Sequence, residues 1–92
     1  MKVTDGEINS FGSNENEFSH FRMAKIAELN SRINFHNIKV DMLEIQLDNS
    51  NAGFSKDIEI VQASIKSKST LHLKDVEKLE LEKDENSRIY LR

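Results

Sequence analysis

The sequence predicts a mixed α+β domain, in which one N-terminal amphipathic helix packs on a small antiparallel β-meander. Three observations lead to this prediction. Apolar residues repeat with helical spacing over 17–33, apolar and polar residues alternate over 79–83 and again over 88–92, and one apolar/polar pattern occurs in both 40–47 and 58–65. The first favours a helix and the second a hairpin. The third fits either structure, so an all-α helical hairpin or bundle is the alternative fold.

The helix prediction rests on residues 17–33, where Asn16 is a suitable N-cap and Glu17 suits the first helical turn. The helix is expected to end near Asn34, where short polar residues begin. At 100° per residue one side of this helix is apolar. That side and its edges carry Phe18, Phe21, Met23, Ile26, Leu29 and Ile33.

Residues 35–48 and 57–66 are open to two interpretations. The β-branched residues Ile38, Val40 and Ile45 favour a strand. The alternation changes phase at Met42/Leu43 and again at Ile60/Val61, so a strand would need a bulge at each place. A helix would need none. Residues 48–53 are predicted as a polar loop, with Gly53 at a positive φ.

The C-terminal stretch gives the clearest β signal. Residues 79–83 and 88–92 alternate, and 84–87 have turn chemistry. A hairpin with a three-residue loop would place Asp84 opposite Arg88 and Leu81 opposite Leu91. Opposite charges would then share one face and apolar residues the other. Residues 70–73 are predicted as a further short strand.

Composition divides the 92 residues into a mobile tail over 1–17 and one small domain over 18–92. The tail has few apolar residues to offset the entropy of ordering it. The domain is close to the size at which a core alone is marginal and self-association adds stability.

Several functional classes are disfavoured. The net charge of −3 argues against non-specific nucleic-acid binding, and the chain has no cysteine. No apolar run of membrane-spanning length or signal-peptide character occurs, so a cytoplasmic location is expected. No nucleophile elbow, phosphate loop or histidine pair at metal-binding spacing is present. We therefore expect no enzyme activity, no cofactor and no small-molecule substrate. The residue usage is compatible with a bacterial or phage accessory protein.

Residues 48–59 begin with Asp48, have Gly53 at the sixth place and end with Glu59. This segment resembles an EF-hand calcium loop, which implies Asp48, Ser50 and Glu59 as side-chain ligands. Ala52 departs from the pattern because it has no side-chain oxygen at the fifth place. No second loop of this kind occurs in the chain.

The function that the sequence favours is a small non-enzymatic regulatory or accessory protein that binds another protein or forms a homodimer. An open sheet edge and the apolar helix face would make the contacts. Aromatic residues and Met are enriched at interface cores. The predicted interface residues are Phe18, Phe21, Met23, Tyr90 and Leu91. Burial in the monomer core is the alternative for Phe18 and Phe21. A degenerate calcium-binding protein and a helical assembly subunit are the alternative functions.

Overall fold

The computed structural model describes the backbone of residues 2–12, 19–36 and 38–91, and the regular structure in these ranges is strand alone. The strands, in chain order, are β1 (Lys2–Thr4), β2 (Glu7–Gly12), β3 (Ser19–Leu29), β4 (Arg32–His36), β5 (Ile38–Asp48), β6 (Asn51–Phe54), β7 (Ile58–Lys66), β8 (Thr70–Leu73), β9 (Val76–Lys83) and β10 (Arg88–Leu91). The predicted N-terminal helix is therefore wrong, and so is the all-α alternative.

The strands form two five-stranded parallel sheets. The odd sheet has the order β1-β3-β5-β7-β9, and the even sheet has the order β10-β8-β6-β4-β2. Each odd strand and the even strand after it make one turn, here called a rung, so the chain winds as a β-solenoid of five rungs. The predicted antiparallel meander is wrong, because every pairing of strands in the described ranges is parallel.

After a longer first rung, the rungs have a nearly constant length. Met42 lies beside Ile60 and Ile58 lies beside Val76, so the same separation along the chain recurs in successive rungs of the odd sheet. A constant rung length places residues of like character in columns that run along the solenoid. The hydrogen-bond partner of each strand is thus a whole rung away and not in the adjacent segment.

The phase change in the sequence is a shared feature of the odd strands. In β5 the buried side chains are Ile38 and Val40, and then Leu43, Ile45 and Leu47. Asp41 and Met42 between them are both outside the core. In β7 the same change separates Ile58 from Val61, with Glu59 and Ile60 outside the core. Because the change falls at the same place in neighbouring rungs, the columns stay in register through it.

The core lies between the two sheets and is almost entirely aliphatic. Ile33, Val61 and Leu71 are completely buried, and the rings of Phe35 and Phe54 stack with centroids 4.5 Å apart. Burying each such side chain contributes about 1.5–3 kcal/mol. Of the two interpretations left open for 35–48 and 57–66, the strand is the correct one, because β5 and β7 lie within these segments. The short strand predicted at 70–73 is confirmed as β8.

The apolar spacing that suggested a helix over 17–33 belongs to two strands. Ile26 in β3 and Ile33 in β4 are buried against different sheets, whereas Phe21 and Leu29 are 49% and 42% exposed. A tight turn at Asn30-Ser31 joins the two strands. The apolar residues before and after this turn therefore belong to different sheets and do not form one helical face. Strands β1 and β2 also lie inside the segment predicted as a mobile tail. Residues 13–18, including Phe18, are outside the described residues.

The predicted hairpin over 79–92 does not form. β9 pairs with β7 and β10 pairs with β8, both in parallel. Asp84 does not pair with Arg88. Its carboxylate accepts backbone N–H bonds from Ser67 at 2.8 Å, Ser87 at 2.9 Å and Asn86 at 3.2 Å. The turn residues were recognised in the sequence, but the turn carries the chain to the other sheet.

Asp84 is expected to stabilise the last turn in a pH-dependent way. The hydrogen bond from the Ser67 N–H, and then the bonds from Ser87 and Asn86, lower the pKa of Asp84 below its usual value of 3.8. This contribution is present above that value and is lost as the pH falls through the lowered pKa. We expect Asp84→Ala to lower the midpoint of thermal unfolding at neutral pH. Glu85→Ala, which removes an exposed acid of the same turn, is expected to leave it unchanged. Equal midpoints for the two variants would contradict this role.

Candidate interaction surface

The turns between the sheets are held by a column of four buried serines, Ser31, Ser50, Ser69 and Ser87, each at most 5% exposed. The Ser69 hydroxyl accepts a hydrogen bond from the Ser50 N–H at 3.0 Å and donates to the carbonyl of Lys66. Ser50 and Ser31 repeat this arrangement one rung earlier. Gly6 takes the same place in the first rung, where its N–H donates to the Ser31 hydroxyl. At the other end the Ser69 N–H donates to the Ser87 hydroxyl. The serine column therefore ties all five rungs together.

The residue before the serine takes a left-handed backbone conformation in the middle rungs. Asn30 and Asn49 both have φ of 50°, and the Asn49 amide donates to the Asn30 side-chain oxygen at 2.9 Å. Asparagine adopts this conformation more readily than most residues. Gly53, predicted to have a positive φ, lies instead within β6. Its hydrogen faces Asn34, since a Cβ there would stand 3.1 Å from the Asn34 side-chain oxygen.

Sequence reasoning missed this serine column, although a signal for it was present. The dipeptides Asn30-Ser31, Asn49-Ser50, Lys68-Ser69 and Asn86-Ser87 recur at nearly equal intervals along the chain. A search for repeats of this length would have suggested a solenoid. The serines are structural, because their hydroxyls are buried and occupied by backbone groups.

Glu28 is the one buried carboxyl in the described core. It occupies the inward column between Val3 and Leu47, is 3% exposed, and neither of its carboxyl oxygens has a hydrogen-bond partner. Desolvation by burial raises the pKa of Glu28 to about 8. A carboxyl of this kind is a candidate acid in some active sites. Here both oxygens are closed off from solvent, so no substrate reaches them.

The residues named for calcium do not form an EF-hand. Asp48 ends β5 and its carboxylate lies 3.8 Å from the Lys66 ammonium. Ser50 is buried with its hydroxyl occupied by backbone groups, and Glu59 lies beyond β6 in β7. The flanking helices of an EF-hand do not occur in the described ranges. Among the described residues, no group of three or more His, Asp and Glu side chains is placed to hold a metal ion.

The histidines whose side chains are described lie on the outside. His20 Nε2 is 2.9 Å from Asp41 Oδ1, and both side chains contact solvent. Exposed polar contacts of this kind are worth about 0–1 kcal/mol. His72 stacks on Tyr90 with ring centroids 4.9 Å apart. These contacts join neighbouring rungs, and the stacked rings of His72 and Tyr90 line an open groove at the surface.

The predicted interface residues with a described position are divided between two ends of the solenoid. Phe21 and Met23, each 49% exposed, lie on β3, the first long odd strand. Tyr90 and Leu91, 46% and 54% exposed, lie on β10 in the last rung. Sequence reasoning had placed the first pair on a helix. The structure brings neither pair into contact with the other, and their role as contacts stays a prediction.

Each end also leaves a strand edge without a neighbour among the described residues. β9 and β10 are the last strands of their sheets. At the other end β1 covers β3 only at Ala27, Glu28 and Leu29. The C-terminal end surface is defined here as the free edges of β9 and β10 together with Leu79, Leu81, Ile89, Tyr90 and Leu91. The first three of these apolar residues are half-buried at the rim of the core.

Comparison of this chain with known protein families, characterised proteins and solved structures gives no match. Within the described ranges, no helix has the length and apolar character needed to cross a membrane. The geometry of the end surfaces is therefore the observation from which a function can be argued.

Proposed function

We propose that this protein is a non-enzymatic interaction protein that self-associates through an end of its β-solenoid. The observation that carries the proposal is the coincidence of free strand edges with exposed apolar side chains at the last rung. Unpaired N–H and C=O groups on an edge strand favour the addition of another strand. A cytoplasmic location is part of the proposal.

The burial pattern supports the choice of an end over a side. The middle of the solenoid is closed, since each of β5 and β7 has a partner strand on both sides. Their inward residues Leu43, Ile45, Val61 and Ile65 are at most 1% exposed. The corresponding residues of the last rung, Leu79 and Leu81, are only half-buried. Stacking a further strand on this rung would complete the burial of these two side chains.

The nature of the scaffold supports a binding role over catalysis. Its buried polar groups are the four serines of the column and Glu28, and these are closed off from solvent. The exposed titratable groups of the described residues lie on the outer sides of the strands and in the turns. Catalytic groups normally converge in a concave site. A rigid platform with apolar ends suits recognition of another polypeptide.

Sedimentation velocity tests the proposal directly. We expect the protein to be a dimer or larger at micromolar concentration, and Tyr90→Asp to shift it toward monomer because a charge would be buried in the contact. Phe21→Asp distinguishes the two ends, since it acts only if the N-terminal end also binds. Met42→Asp is the control, because Met42 is 39% exposed on the central strand β5, which has a partner strand on both sides. A strictly monomeric protein at high micromolar concentration would remove the proposal.

A further inference from the structure

Strand β9 presents the longest free edge at the C-terminal end surface. It has eight residues, and its one neighbour in the odd sheet is β7. Its outward side chains Lys78, Glu80 and Glu82 are exposed, and its inward side chains Leu79 and Leu81 are half-buried. A strand added to this edge would meet alternating charged and apolar positions.

The sequence of β9 carries opposite charges at positions equally distant from its centre, Glu80. Residues 77–83 are Glu-Lys-Leu-Glu-Leu-Glu-Lys. When a second copy of this segment runs antiparallel with Glu80 at the centre, Lys78 comes opposite Glu82 of the other copy, and Leu79 comes opposite Leu81. Glu77 comes opposite Lys83. Each of these three pairs occurs twice because the arrangement has two-fold symmetry. Glu80 faces Glu80 of the other copy at the axis, and this is the one like-charge pair of the register.

We propose that the partner of the C-terminal end surface is a second copy of this chain, joined edge to edge through antiparallel β9 strands about a two-fold axis at Glu80. This inference rests on the self-association in the proposed function and specifies its register. Residues directly opposite each other in an antiparallel pair have Cβ atoms about 4.5–5.5 Å apart, so opposite charges and apolar groups interact there. The two-fold axis makes the contact isologous and closed, which predicts a dimer.

The charges of β9 disfavour the parallel arrangement that the solenoid itself uses. Two β9 strands in parallel register would bring Lys78 against Lys78 and Glu82 against Glu82. Like charges directly opposite each other are destabilising. The parallel register would oppose like charges at all five charged positions of 77–83, against Glu80 alone in the antiparallel register, so the edge disfavours a parallel contact between two β9 strands.

Head-to-tail stacking is disfavoured by the shapes of the two ends. At the N-terminal end, β1 has three residues and covers only the last three of β3. Only three of the eight residues of β9 would lie beside a residue of β1. In the two-fold arrangement the whole segment from Glu77 to Lys83 meets a strand of equal length. The length of β9 and its pattern of charges thus both favour the β9 strand of a second copy as the partner.

Cysteine cross-linking tests the register, because the chain has no cysteine of its own. Glu80→Cys would place two thiols opposite each other at the two-fold axis, so mild oxidation is expected to give a covalent dimer. Gln62→Cys is the matched control. Gln62 is exposed and lies beside Glu80 in the same outward column, one rung away from the free edge. It is expected to stay largely monomeric on a non-reducing gel.

A charge exchange tests the same register without a covalent bond. Lys78→Glu and Glu82→Lys are each expected to raise the dimer dissociation constant at least about fivefold, since each replaces two attractive pairs by repulsive ones. The double variant restores opposite charges and is expected to regain most of the affinity. Circular dichroism of each variant confirms that the monomer is folded.

The outcomes separate the two proposals. If the protein dimerises but Glu80→Cys cross-links no better than Gln62→Cys, the β9 register is overturned while self-association stands. Failure of the double charge variant to recover affinity has the same consequence. A chain that is monomeric at every concentration overturns both. Efficient cross-linking at Glu80 together with recovery in the double variant supports both.

Discussion

Glu28→Leu is expected to stabilise the protein by about 3 kcal/mol at pH 7, an order-of-magnitude figure from the shift in the pKa of this carboxyl. The carboxyl is buried between Val3 and Leu47, and neither oxygen has a hydrogen-bond partner. Burying a polar group without a partner costs free energy, and leucine removes this cost at similar volume. Urea unfolding of the variant and the wild type, compared at constant m-value, measures the gain.

The pH dependence of unfolding gives a second test of Glu28. The unfolded chain loses the Glu28 proton near the ordinary pKa of 4.5, whereas the folded chain keeps it up to about pH 8. Between these values the folded state binds the additional proton, so this contribution to stability falls as the pH rises, by roughly 1 kcal/mol per pH unit. Above about pH 8 the contribution is constant.

Glu28→Gln provides the control for titration alone, because it keeps the size and polarity of the side chain but has no proton to lose. The difference in unfolding free energy between wild type and Glu28→Gln is expected to decrease from pH 5 to pH 8. Glu59→Gln removes an exposed carboxylate of β7 and is expected to leave the wild-type pH profile unchanged. A constant difference between wild type and Glu28→Gln across this range would show that Glu28 is ionised in the folded protein.

Ser69→Ala is expected to cost about 2–3 kcal/mol of unfolding free energy. Its hydroxyl is completely buried and serves two backbone groups, the N–H of Ser50 and the carbonyl of Lys66. Alanine leaves both groups without this partner in the interior, and each such loss costs about 1–3 kcal/mol. Part of the cost is recovered by small backbone adjustments. Equilibrium denaturation measures the difference.

Ser64→Ala is the matched control for the serine column. Ser64 lies on the exposed face of β7 beside Gln46 and Glu82, and its replacement is expected to change stability by less than about 0.5 kcal/mol. Ser50→Ala should resemble Ser69→Ala, because the hydroxyl of Ser50 has the same pair of backbone partners one rung earlier. If Ser69→Ala is no more destabilising than Ser64→Ala, the column does not tie the rungs together.

The calcium resemblance illustrates how a local pattern can be produced by a different fold. Asp48, Ser50 and Gly53 recur at EF-hand spacing, but each has its own place in the solenoid. Asp48 ends a strand, Ser50 belongs to the serine column, and Gly53 lies in β6 where Asn34 comes close. The sequence correctly showed that the segment is polar. It is polar because the chain passes there from one sheet to the other, and not because it binds an ion.

The sequence by itself determined where apolar and polar residues alternate in the central chain and where that alternation changes phase, while it left residues 35–48 and 57–66 open between strand and helix. Residues 38–47 and 58–65 show the alternation and its change of phase by themselves, because side-chain alternation depends only on near neighbours. It also identified the turn chemistry at 84–87.

Only the tertiary structure decided how the strands pair. Parallel partners such as Met42 and Ile60, or Asn51 and Thr70, lie a whole rung apart along the chain, so no window of local sequence contains both strands of a pair. The helical spacing over 17–33 and the hairpin over 79–92 were each consistent locally and were overruled by this distant pairing. The burial of Glu28 has the same origin, because the Val3 and Leu47 side chains beside it come from other rungs.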